Sequence, residues 1–180
     1  MPVGHGETLL VDENGKVKYV RYGRYKTGTG HVRGSVKGGN WGIYDYPDMQ
    51  PNETTEQYIN RLLELRKQKH NYLEDAQYGA FEAIEIPNVD YNKALEYAQT
   101  QSKDKNREEY NISNTCATGA CNVIKAGLST NDKFKTHIPT ISTSDAEDDL
   151  GTTLWGLIPG STNYYAASMR NLGNSYIFND

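Results

Sequence analysis

The sequence predicts an α+β domain: an antiparallel sheet packed against helices, with a cysteine at one helix N-terminus. Three observations predict it. Residues 6–22 read as two strand-like runs joined by Asn14-Gly15, the strongest short hairpin signal. Residues 55–69 place Tyr58, Ile59, Leu62, Leu63 and Leu65 at helical spacing, with a charged opposite face. Ser113-Asn114-Thr115 precedes Cys116, and a short helical pattern then runs to Gly127.

Taken in order, residues 6–12 form the first strand and residues 16–22 the second. A two-residue turn pairs Glu13 with Lys16, sets Glu7 opposite Tyr22 and sets His5 opposite Arg24. Directly opposite residues share a face. His5, Glu7, Leu9 and Val11 are therefore expected beside Val20 and Tyr22. Residues 27–37 read as a loop and a third strand, and Gly38-Gly39 and Pro47 punctuate a further loop. Asn52-Glu53-Thr54 opens the helix that runs from Thr55 to Lys69. Residues 81–86 alternate as a strand. Asp90 caps a helix through Ala94, Leu95, Tyr97 and Ala98. A charged loop, residues 103–109, leads to the cysteine segment. After Pro139, residues 142–150 read as a short capped helix. The tail from Gly151 is rich in Gly, Asn, Ser and Tyr and yields no assignable element. No repeat or linker divides the chain, so residues 1–180 are expected to form a single domain.

The chain of 180 residues is long enough to bury a real core. Hydrophobic residues make up 36%, and 14 tyrosines against 3 phenylalanines predict a tyrosine-rich core. A net charge of −4 gives no support for a nucleic-acid binder. No stretch approaches the roughly 20 apolar residues of a membrane helix, and no signal peptide is expected from the pattern of the first residues. Residues 1–5 read as the start of a domain cut from a larger protein, or of a small protein delivered by other means. The two cysteines, Cys116 and Cys121, lie on different faces of one helix, which disfavours a disulfide. No Cys/His spacing suggests zinc, and no metal or other cofactor is expected. Cys121 reads as a small buried hydrophobe.

Cys116 is different. The polar approach puts it in a first helical turn, where unpaired N–H groups and the helix dipole favour a thiolate. A nucleophilic cysteine needs a base within reach and often a third group to orient it. Four histidines are available. His70 ends a charged helix, and His137 follows Cys116 closely with no strand to carry it back. His31 lies between a glycine and a strand. His5 begins the first strand with glycine on both sides, which permits close approach. His5 and His31 are the two candidates that spacing leaves.

Three blocks carry a family resemblance. The first is residues 3–25, with Gly4-His5, Asp12-Glu-Asn-Gly15 and Tyr19-Val-Arg-Tyr-Gly-Arg-Tyr25. The second is residues 89–99, the helix before the cysteine. The third runs from Asn106-Arg107 through Tyr110 to Asn114-Thr115-Cys116-Ala117-Thr118. Together they resemble the circularly permuted papain-like peptidases of the NlpC type, in particular the toxin domains of bacterial polymorphic and type VI secreted effectors. The resemblance spans residues 3 to about 127 and has His before Cys, the permuted order. It implies a circularly permuted papain-like fold with Cys116 as nucleophile and His5 as base. Tyr22, in the first block and on the expected His5 face, is the candidate orienting residue. Asn114 and Thr115 are candidate oxyanion or substrate contacts. Thr115 replaces a second asparagine of the family pattern. Gly119 replaces an aromatic, a change expected to remove packing under the nucleophile helix.

The activity so implied is hydrolysis of peptide or amide bonds, with bacterial peptidoglycan as substrate. The toxin would be made in the bacterial cytoplasm and delivered to the periplasm of a competitor, and an immunity protein would protect the producer. A lipid acyltransferase or phospholipase on the same fold would need an apolar groove, which the charged face of the residue 55–69 helix does not offer. A protein deamidase is a third enzyme class. A binding or adaptor domain with a buried cysteine is the non-enzymatic alternative.

Overall fold

In a computed structural model, residues 6–23, 39–68, 72–73, 81–104, 115–128 and 169–178 are described. Strands β1 (Glu7–Val11), β2 (Val17–Gly23) and β3 (Asn40–Tyr46) form one antiparallel sheet in that order. Helix α1 (Thr55–Lys67) follows, then β4 (Phe81–Glu85), α2 (Tyr91–Lys103), α3 (Cys116–Leu128) and β5 (Asn174–Phe178). β4 and β5 pair antiparallel as a second sheet, which brings the end of the chain back to its middle.

The first hairpin corrects the expected register. Val11 pairs with Val17 and Glu7 with Arg21, not with Tyr22. Gly15 donates to the Asp12 carbonyl at 3.1 Å, and Asp12 donates to the Lys16 carbonyl at 3.0 Å. The loop is thus three residues long, with Gly15 at φ 80° supplying the left-handed turn that closes it. The Asp12 carboxylate accepts from the N–H groups of Asn14 and Lys16 at 2.9 and 2.8 Å, holding the loop from inside. One added loop residue shifts the pairing by one and moves a whole set of side chains to the other face. Glu7 and Leu9 consequently lie on the face opposite Val20 and Tyr22.

Each face of the three-stranded sheet has its own core. Thr8, Leu10, Val20, Trp41 and Ile43 share one face. There Leu10 and Val20 pack with Ala94 and Ala98 of α2 and Val123 of α3. Val17, Tyr19 and Tyr46 occupy the other face and meet Tyr58, Ile59, Leu62 and Leu63 of α1, with Phe178 of β5. The core is rich in tyrosine as composition predicts: Tyr19 and Tyr46 stack with ring centroids 4.6 Å apart. Cys121, Leu128, Met169 and Leu172 form a third cluster near β4.

Strand β3 occupies residues expected to be loop. Trp41 and Ile43 alternate with Gly42 and Tyr44 between Gly39 and Pro47. That short aromatic and β-branched run is strand-like, and pairing with β2 selects it. The third strand expected at residues 27–37 and the helix expected at residues 142–150 lie outside the described residues. The helix ends match expectation closely. Thr54 and Gln57 form a reciprocal capping box at α1, and Asp90 caps α2.

Candidate active site

Cys116 is the first residue of α3. Thr115 caps this helix: its carbonyl accepts from Gly119 N–H at 2.9 Å, and its hydroxyl accepts from Thr118 N–H at 3.5 Å. Thr118 answers with its own hydroxyl, which accepts from Thr115 N–H at 3.2 Å. The pattern is a capping box with threonine in the position usually held by Glu or Gln. It fixes the turn that carries the thiol. The backbone N–H groups of Cys116 and Ala117 lie at the positive end of the helix dipole.

The sheet meets this turn at two points. Gly6, just before β1, lies so close to α3 that a methyl group added there would sit 2.9 Å from Ala117 Cα. Gly119, one helical turn after Cys116, lies over Tyr22; a methyl group there would sit 2.7 Å from Tyr22 Cβ. The expected loss of packing at Gly119 does not occur, because the base of the Tyr22 side chain takes that space. Tyr22 is 3% exposed, and its ring lies against Trp41 at 5.0 Å between centroids.

The two cysteines occupy distinct settings, and no disulfide joins them. Cys121 packs with Leu128, Met169 and Leu172, and burial pushes its thiol up to about 12, only partly offset by Lys125. It is an inert thiol at neutral pH. Cys116 is more buried still, 3% exposed against 8% for Cys121, but sits at a helix start. Exposure alone would make Cys121 the more reactive of the two.

The structure brings Cys116, Thr115 and Tyr22 into one region of the fold. His5 and Asn114, and also His31, His70 and His137, lie outside the described residues. Glu7, on the other sheet face, accepts a hydrogen bond from Tyr19 and does not join Tyr22. Sequence reasoning missed Thr118 and the Gly6–Ala117 contact. The Thr115-x-x-Thr118 spacing is the signal that could have found the first. Among the described residues, no cluster of His, Cys, Asp and Glu could hold a metal ion. No helix there is long and apolar enough to cross a membrane.

The fold and this site frame the comparison with known proteins. Residues 1–133 match the family described as type VI secretion system effector TseH-like. The chain belongs to that family. Membership makes it a type VI secretion effector, a protein secreted into target cells. The matched span takes in β1 through α3, and so includes Cys116 and both glycine contacts. A solved structure, the crystal structure of the type VI secretion system effector TseH, is similar with a TM-score of 0.64 and 16% identity. The similarity covers 99% of this chain and 84% of that one, so it extends past residue 133 to the β5 end. At that identity the likeness is one of fold. No curated protein sequence matches this chain.

Proposed function

We propose that this TseH-like effector is a cysteine peptidase or amidase of circularly permuted papain-like fold, acting on bacterial peptidoglycan in the periplasm of a target cell. The observation that carries the reading is the position of Cys116. It is the first residue of a capped helix whose next residue touches Gly6, and Gly6 directly follows His5 in the chain. In this reading His5 withdraws the thiol proton, and the thiolate attacks the scissile carbonyl. The Cys116 N–H and one further donor hold the oxyanion, and each such donor contributes about 3 kcal/mol to the transition state. His5 then protonates the leaving amine, and water hydrolyses the acyl-enzyme. Tyr22 supports the turn from below; its candidacy for orienting the base rests on the family resemblance alone, because the observed register puts Glu7 and Leu9 on the face opposite Tyr22. Thr115 contributes as the cap, and Asn114 as a substrate or oxyanion contact. A cognate immunity protein would protect the producer by covering the cleft.

The test is expression of wild type and Cys116→Ala with a periplasmic export signal. Lysis by wild type, absent in the variant and accompanied by released muropeptides, supports the reading. Toxicity confined to the cytoplasm contradicts it and points to a protein deamidase instead.

A further inference from the structure

The two close contacts between sheet and helix bracket Cys116. Gly6 abuts Ala117, the residue after the thiol. Gly119 abuts Tyr22, one turn further on. A side chain at either position would overlap its neighbour: the distances from the added carbon are 2.9 and 3.3 Å to Ala117, and 2.7, 3.1 and 3.2 Å to Tyr22. Unstrained carbons sit about 3.5–4.0 Å apart. Glycine is a poor helix former, so local propensity does not account for Gly119. Gly119 is also not at a helix end, where glycine commonly serves as a cap. Its use at that position is the close approach of α3 to β2.

We propose that Gly6 and Gly119 are positioning residues of the Cys116 site. They hold the first turn of α3 against the start of β1 and the end of β2, and so set the position of the thiol relative to the sheet. The inference rests on Cys116 being the nucleophile. Adding a methyl group at either site pushes the turn outward by on the order of 1 Å, from the spacing of carbons in contact. A misplacement of that size can lower reactivity about 10²-fold.

The experiment measures second-order rate constants for iodoacetamide at Cys116 and Cys121, by peptide mass spectrometry, in wild type, Gly6→Ala and Gly119→Ala. Ultraviolet thiolate absorbance and thermal melting are recorded on the same samples. Wild type is expected to label at Cys116 far faster than at Cys121, against the order of exposure. Each variant is expected to lose about 10- to 100-fold of the Cys116 rate and part of the thiolate signal, while Cys121 stays slow. Gly119→Ala is expected to melt cooperatively but below wild type, because the gain in helix propensity of about 1 kcal/mol does not offset the overlap with the base of the buried Tyr22 side chain. A purely structural role would lower the melting temperature and leave the Cys116 rate of the folded protein at the wild-type value. Wild-type rates at Cys116 in both variants overturn the proposal. So does the loss of cooperative melting in both, since the contacts would then set the fold and not the site. Equal, slow labelling of the two cysteines in wild type is a different result, which overturns the nucleophile reading itself.

Discussion

Thr8→Val is expected to stabilise the protein. Thr8 is 5% exposed, pairs with Val20 and lies on the sheet face that α2 and α3 cover. Its hydroxyl oxygen is fully buried and has no hydrogen-bond partner. An unsatisfied buried polar group costs about 1–3 kcal/mol in lost hydration. Valine has the same branched shape, the same stiffness about χ1 and a good strand preference, so the substitution removes the cost without leaving a cavity. A gain of about 1 kcal/mol corresponds to roughly 2–4 °C in a domain of 150–250 residues. Thr8→Ser is the control: it keeps the hydroxyl, loses a buried methyl group and should cost about 1 kcal/mol. Urea denaturation should show a higher midpoint for Thr8→Val with an unchanged slope. A lower midpoint would refute the reasoning and mean that the hydroxyl has a partner, such as an ordered water.

Other substitutions probe other layers. Leu62 has no exposed surface, so Leu62→Ala should cost about 2–5 kcal/mol in chemical denaturation. Thr115→Ala removes the α3 cap and should cost about 1 kcal/mol, with slower labelling of Cys116 as the first turn loosens. Glu82 ties β4 to β5 by accepting from Arg170 at 2.7 and 2.6 Å and from Ser175. Arg170, with Ser175 assisting, holds its carboxyl below the usual range. A depressed carboxyl stabilises the fold above its unfolded pKa, about 4.3 for glutamate, and that contribution is lost as pH falls through the folded value. Melting temperature should therefore drop as pH falls below about 4.3, and Glu82→Gln should flatten part of that slope. Identical slopes would exclude the role of Glu82.

Local signals made much of this fold legible. Thr54 and Asp90 announce their helices because a cap is a short-range interaction between neighbours in sequence. Cys116 opens its helix for the same reason, after Ser113-Asn114-Thr115. Facing was harder. Asn14-Gly15 marks the hairpin correctly, but loop length decides register, and the Asp12 side chain selects the three-residue form. That single residue moved Glu7 away from Tyr22. Strand β3 depends on pairing with β2, and β5 on pairing with β4, contacts that sequence periodicity does not contain. Gly119 reads in sequence as a missing side chain, because the Tyr22 side chain that fills the space comes from another element.

The most direct test of the central claim is digestion of purified peptidoglycan by purified protein, followed by mass spectrometry of the products. The account predicts that wild type releases fragments bearing new amine and carboxyl ends from a cleaved amide bond. It predicts none from Cys116→Ala, and normal activity from Cys121→Ala after correction for folded protein. Equal release by Cys116→Ala and wild type would contradict the assignment of Cys116 as the nucleophile. No release by a folded wild type would contradict peptidoglycan as the substrate.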